Sequence, residues 1–351
     1  MTILLVLLGA LILGSLEIAP TFHRDCLAPS RTRYWKGVCV VLILLSHFTG
    51  YISPGEADEG YLMFRQWTGQ SIAMLFFFYS GFGMMRSAVQ KSRTYLTSLP
   101  GRFLRVWLTC AVSVAVMLLV QTARGREYSL YSIAMAFLCW ASVGNSTWYI
   151  FVILTEYVLF AISILPLCLR PCRATRLLAP ALLTALTVGF IVWMQGMYLE
   201  EYWYDTVLLF PLGAWWAVLS RRAERFLLRS ALPWSCALLA ALTAAGFAFL
   251  HREEGFLLHE GWMIASAAAV VLLSMKATPA SPFLGFCGDH VLPFYLFQRV
   301  PMILLYESGL LDSAPHLGLI LALLGTGVIA LTYDRITGLK LRLPWGSAGK
   351  K

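Results

Sequence analysis

The sequence predicts an all-α fold, a polytopic transmembrane helix bundle of about eleven spans. Three observations predict it. Of 351 residues, 59% are hydrophobic and only 13% are charged, against about 25% charged in an ordinary soluble domain. The apolar residues fall into runs close to the length that crosses a bilayer, about 20 residues of helix. Lys and Arg gather in alternate connections between those runs, the pattern of the positive-inside rule.

The runs, in order, are 2–19, 36–52, 71–89, 103–121, 148–167, 177–197, 205–219, 232–250, 261–275, 284–306 and 317–333. Basic connections hold Arg24, Arg31, Arg33 and Lys36, then Arg86, Lys91, Arg93 and Arg102, then Arg170, Arg173 and Arg176, then Arg221, Arg222, Arg225 and Arg229. The tail adds Arg335, Lys340, Arg342, Lys350 and Lys351. The intervening connections are acidic or mixed, with Glu56, Asp58 and Glu59, then Glu200, Glu201 and Asp205, then the stretch from His251 to Glu260, then Glu307 and Asp312. The two sets alternate if the short apolar stretch 129–142 does not cross. As a crossing it would turn Arg170, Arg173 and Arg176 outward. It therefore reads as a re-entrant or interfacial segment, with the N-terminus outside and the C-terminus cytoplasmic. Arg124 and Arg126 then lie outside, against the rule.

The net charge of +9 sits in short loops, so it speaks to topology and not to nucleic acid. The eight cysteines lie mostly in apolar runs, with no CxxC pair and no Cys/His set of zinc spacing, so no metal is expected. The apolar N-terminus lacks a basic flank and a small-x-small cleavage site, and reads as a retained helix. No soluble domain, long linker or repeat is visible. The chain divides into an extra N-terminal helix with its basic loop (1–30), a membrane domain (31–335) and a cytoplasmic tail (336–351).

Ionisable groups inside spans mark function, because burial in the bilayer is costly. Three stand out: His47, Glu156 and Arg299, the last beside Gln298. At a rise of about 1.5 Å per residue in a core of about 30 Å they lie roughly 16, 18 and 21 Å from the cytoplasmic boundary, so one polar chamber could hold all three. Each also has a structural reading. A lone His hydrogen-bonds a carbonyl, and Glu156 with Arg299 makes a buried ion pair.

Four segments carry a family likeness. RTRYWKGVCVVLILLSHFTGY starts at Arg31 and holds His47; FFFYSGFGMM follows from Phe76 to Met85, then RFLRVW from Arg102. STWYIFVILTEYVLF begins at Ser146, and LGFCGDHVLPFYLFQRVP runs from Leu284 to Pro301. In this order they resemble acyltransferase family 3, membrane-bound enzymes that O-acylate sugars of surface polysaccharides and related acceptors. Two features depart from the family: Gln298 stands where its late Tyr-Leu-x-His helix has His, and the helix 2–19 precedes its usual first helix.

The resemblance implies a membrane O-acyltransferase, of the acetyl type, in a bacterial cytoplasmic membrane. The donor is cytosolic acyl-CoA, a co-substrate and not a bound cofactor; the acceptor is a hydroxyl of a carbohydrate or envelope glycan. His47 is the essential position, and a neutral imidazole suits a general base toward an alcohol. Glu156 is grouped with it as catalytic. Arg33, Lys36, Arg86, Arg102 and Arg105 are expected to bind the phosphates of acyl-CoA, and Ser80, Tyr149, Tyr295, Gln298 and Arg299 to shape the chamber. The competing reading is a transporter or flippase of a lipid-linked saccharide, which shares the buried charges and the proline-interrupted spans (Pro211, Pro293, Pro301) but usually shows inverted repeats. A sensor or scaffold lacks an output domain.

Overall fold

The computed structural model describes residues 1–23, 25–52, 58–68 and 71–340. Arg24, Glu56 and residues 341–351 of the expected tail lie outside the described residues, as do the side chains of Arg222 and Lys340. The chain is helical throughout, apart from one pair of short strands.

The first half comprises α1 (Thr2–Gly14), β1 (Leu16–Ile18), α2 (Pro29–Phe48), α3 (Glu59–Thr68), α4 (Met74–Lys91), α5 (Arg93–Ala123), α6 (Leu130–Phe137), α7 (Trp148–Ser163) and α8 (Leu165–Leu169). Then come α9 (Arg173–Gly196), α10 (Leu209–Leu227), α11 (Ala231–Leu250), α12 (Phe256–Ser274), β2 (Ala277–Pro279), α13 (Pro282–Asp289), α14 (Val291–Phe297), α15 (Arg299–Glu307), α16 (Leu310–Ser313) and α17 (Pro315–Lys340). Among the described residues, six helical stretches are long and apolar enough to cross a membrane: Ser71–Lys91, Arg93–Ala123, Arg173–Gly196, Ala231–Leu250, Phe256–Ser274 and Pro315–Gly338. The chain is thus a multi-pass membrane protein.

Two of the expected runs fold differently. The first stops as a helix at Gly14, only 13 residues long, and the chain continues as β1. That strand pairs antiparallel with β2, Leu16 opposite Pro279 and Ile18 opposite Ala277, so the bundle carries a small sheet. The tenth run, 284–306, is not one helix but three. Pro293 and Pro301 lack the N–H that a continuous helix would donate four residues back, and the helix breaks at His290 and Gln298. Pro211, by contrast, sits in the first turn of α10, where that donor has no intrahelical partner to lose.

Polar contacts sort the helix ends into two faces. At one, Arg33 pairs with Asp289 at 3.2 Å, Arg86 with Asp25 at 3.5 Å, and His290 with Asp334. At the same face Arg93 donates to the Cys168 carbonyl and Lys276 to that of Pro20. At the opposite face the Met1 ammonium meets Asp58 at 2.7 Å, and Arg124 Nε donates to Glu307 at 2.8 Å. The ends grouped at the first face are those the basic connections predicted.

The stretch 129–142 dips in from the second face and returns. The hydroxyl of Ser129 caps α6. The helix descends until Trp107 donates to the Phe137 carbonyl at 3.0 Å and Cys139 Sγ lies 3.3 Å from Cys110 Sγ. Cys110 is about 20 Å below the end of α5, at 1.5 Å per residue. The chain turns there, with Cys139 at φ +62° and Gly144 at φ +111°, and rises until Gln121 donates to the Val143 carbonyl. Irregular backbone at this depth is tolerated because α5 satisfies its polar groups.

Helices approach most closely where glycine removes the side chain. A Cβ on Gly81 of α4 would stand 1.9 Å from the Phe210 carbonyl oxygen of α10, and one on Gly213 would stand 2.1 Å from that of Phe78. The glycines are reciprocal, each giving way to the other helix's backbone. Gly37 of α2 and Gly288 of α13 do the same, meeting Leu284 and Arg33 backbone oxygens at 1.9 and 1.7 Å. These two contacts hold α2 and α4 in place, and both helices carry the site.

Candidate active site

A cavity of about 1220 Å³ runs inside the bundle, between α2, α4, α5, α7, α14 and α17. Its α4 wall follows one main stripe, Phe76, Tyr79 and Ser80, Gly83, Arg86 and Ser87, then Gln90, spaced three and four apart as one helix face must be, with Phe82 and Met84 at its edges. From Ile72 to Gln90 that wall extends about 27 Å at 1.5 Å per residue. Thr32, Lys36, Ile43, Ser46 and His47 form the matching stripe of α2.

The cavity joins two chemically different ends. At the basic face it is bordered by Lys36, Arg86, Arg102 and Arg105, interspersed with Asp25, Asp289 and Asp334. Lys36 Nζ is 6.0 Å from the centre of the Tyr79 ring, and the Arg102 guanidinium lies 4.9 Å over Tyr95. The aromatic stacking directs two cations without neutralising them. At the far end are His47, Trp148, Tyr149 and Tyr295. The Tyr295 ring is 6.4 Å from His47 and 5.7 Å from Tyr149, centre to centre. The Tyr295 hydroxyl and His47 Nδ1 are buried without partners among the described residues. Such orphaned polar atoms beside a cavity are unusual in a folded protein and suit a site completed by substrate.

His47 occupies the last turn of α2. The helix begins at Pro29, earlier than the run suggested, so the ring is nearer its far end than the mid-span depth read from the sequence. Gln298 and Arg299 are its polar neighbours but do not border the cavity. Gln298 is buried and donates to the Tyr295 carbonyl at 2.9 Å. Ser80 and Tyr149 both border the cavity, with their hydroxyls beside each other.

Two other expected residues lie elsewhere. Glu156 is fully buried between α7 and α9, where Thr187 donates to both carboxylate oxygens at 3.0 Å. It forms no ion pair with Arg299 and does not border the cavity; its carboxylate is turned to Thr187 of α9 instead. The single chamber of His, Glu and Arg therefore reduces to His47 with Arg299 beside it. Arg33 is held by Asp289 and packs 5.0 Å over its neighbour Tyr34; it clips α2 to α13 outside the cavity. Sequence reasoning passed over Ser46, Gln90, Thr109, Tyr157 and Tyr333, which border the cavity. The three-and-four spacing of α4 was the available signal for Gln90. Tyr333 reaches the wall through a hydrogen bond to Thr109 at 3.0 Å, a long-range pairing with no sequence signature.

Among the described residues no group of His, Cys, Asp or Glu has the arrangement of a metal site. No curated protein and no solved structure matches the chain. The acyltransferase domain profile of acyltransferase family 3 does, across residues 33–334. That span takes in Lys36, His47, Arg86, Arg102, Arg105 and most of the cavity wall, and leaves α1 and β1 outside; the chain belongs to acyltransferase family 3.

Proposed function

We propose that this acyltransferase moves an acyl group, in the first instance acetyl, from cytosolic acyl-CoA to a hydroxyl of a carbohydrate or envelope glycan. One observation carries the reading: a single cavity links four basic side chains at one face to the His47 ring at its far end.

The basic face is cytoplasmic by the positive-inside rule, within eleven crossings that place the C-terminus inside, in a bacterial cytoplasmic membrane. Lys36, Arg86, Arg102 and Arg105 take the phosphates of coenzyme A, and the pantetheine arm follows the α4 stripe to His47. The acceptor hydroxyl gives its proton to the imidazole as its oxygen attacks the thioester carbonyl carbon. The carbonyl electron pair moves to oxygen, where the free Tyr295 hydroxyl donates to it. Collapse breaks the C–S bond, and the thiolate leaves with the proton held by His47. Water is scarce at this depth, which favours transfer over hydrolysis.

Incubation of purified protein with labelled acetyl-CoA and an envelope glycan fraction tests this. Wild type transfers label and His47→Ala does not; equal transfer by both sinks the base assignment. The broken α13–α15 run also suits a saccharide transporter, and donor turnover in detergent, where there is no second compartment, separates the two.

A further inference from the structure

A second cavity of about 310 Å³ opens at the face opposite the basic rim, bordered by Glu201, Asp205, Arg252, Glu253, Phe256 and His259. Two residues on its border carry buried polar atoms without partners among the described residues, Asp205 Oδ1 and His259 Nδ1. Asp205 is only 6% exposed. The contact between the two is loose, His259 Nε2 to Asp205 Oδ2 at 3.9 Å. Their chain neighbours Thr206 and Glu260 are likewise buried without partners but do not border the cavity. Native proteins rarely leave such atoms unsatisfied, so two at the border of one cavity point to a ligand that satisfies them.

The lining says what kind. The carboxylates of Glu201 and Glu253 accept, so the ligand must donate hydrogen bonds. It must also accept, because burial with Glu201 beside it raises the Asp205 carboxyl well above the ordinary carboxylate range, leaving an O–H to offer. Arg252 also borders the space, with donors left over after Nη2 bonds Glu253 at 3.0 Å and Nη1 the Phe249 carbonyl at 2.8 Å. No metal arrangement exists among the described residues, and a phosphate would meet those carboxylates. Aromatic rings flank the group: Tyr204 packs 5.9 Å from Phe256, and Trp262 sits edge-on to His259 at 5.4 Å. Clustered donors and acceptors between aromatic faces match a sugar ring. The volume, about ten times the share of one water molecule in the liquid, admits one such ring and not a chain.

The position links it to the reaction. Tyr202, on the same loop as Asp205, packs 5.7 Å from Trp148, and Trp148 borders the His47 cavity. The loop that carries Asp205 thus packs against a residue of the first cavity's border. We infer that the Asp205–His259 pocket is an acceptor subsite that holds a sugar unit of the glycan at the far face. This rests on the glycan-acceptor reading above.

The test needs no donor. Tryptophan fluorescence of the purified protein is titrated with N-acetylglucosamine, glucosamine, galactose and a hydrolysate of envelope glycan, with ethylammonium and inorganic phosphate as controls. Expected is saturable quenching by at least one saccharide, weakened roughly tenfold by Asp205→Ala, as for loss of the hydrogen bonds of a buried group, and likewise by His259→Gln. His47→Ala should bind as wild type does. In the transfer assay Asp205→Ala raises KM for acceptor and leaves KM for acyl-CoA unchanged. Quenching by no saccharide, equal quenching of wild type and both variants, or quenching by ethylammonium alone overturns the subsite. Failure of His47→Ala to abolish transfer would instead strike the function proposed above and leave this binding result standing.

Discussion

Replacing Gly81 with alanine perturbs the bundle at a point where the cost follows from coordinates. The new methyl would start 1.9 Å from the Phe210 carbonyl oxygen, and both atoms belong to backbone that no rotamer change can move. Restoring ordinary contact requires α4 and α10 to part by about 1.5 Å, beyond the adjustments that usually cost about 1–3 kcal/mol. We expect a loss at the upper end of that range or above it. The function should suffer separately, because α4 carries one wall of the cavity and a misplacement of about 1 Å can cost on the order of a hundredfold in rate. Gly189→Ala is the matched control: it lies within a helix and a Cβ there meets nothing within 4 Å. Thermal unfolding in detergent and initial transfer rates compare the two. Equal stability of Gly81→Ala and Gly189→Ala would refute the account of α4–α10 packing.

Four further outcomes can be checked. Tyr295→Phe keeps the ring against His47 and removes the free hydroxyl, so kcat should fall roughly 10²–10³-fold with KM for acyl-CoA unchanged; an unaltered kcat removes Tyr295 from the chemistry. Glu156→Gln keeps an acceptor for Thr187 and should retain most transfer activity, whereas a dead but folded variant would restore Glu156 to the mechanism. Arg102→Ala should raise KM for acyl-CoA roughly tenfold, as for loss of one charge-assisted contact, while Arg33→Gln should lower stability and leave that KM alone. The hydroxyl of Thr175 and neighbouring N–H groups hold the Cys172 thiol below its ordinary value, so its thiolate fraction is raised at neutral pH, and labelling should reach half its maximum at a lower pH than for a free thiol. Burial pushes Cys26 up to about 12, so it should stay unlabelled. An impermeant maleimide that modifies Cys172 only in inverted vesicles confirms a cytoplasmic basic face.

The helices were legible because a bilayer imposes a long period of apolarity that no other environment requires. His47, Lys36, Arg86, Arg102 and Arg105 were legible because charge in or beside such a run is costly and therefore conspicuous. What escaped was everything set by azimuth. Depth can be counted along a helix, but Glu156 shares a depth with the chamber and faces α9 instead, and nothing in the run 148–167 says which way residue 156 points. Arg33 and Lys36 differ by three residues, and only the glycine contact of α2 with α13 decides that one clips helices while the other borders the cavity. The stops at Gly14 and His290 also lay beyond a hydropathy reading, which sees composition and neither the strand pairing that follows Gly14 nor the hydrogen bond that Pro293 withholds.

The dip of residues 129–147 thins the wall between the two compartments. Asn145 reaches toward Ser113, about 15 Å along α5 from Ala123 at 1.5 Å per residue, and α7 starts only after that point. Above Trp148 the seal is a hairpin of loop, where the rest of the bundle opposes the full thickness of hydrocarbon. In the reaction proposed above, an acyl group handed over beneath that hairpin would have most of the insulating layer already behind it. The charged carrier proposed to deliver it would never have to leave its own side.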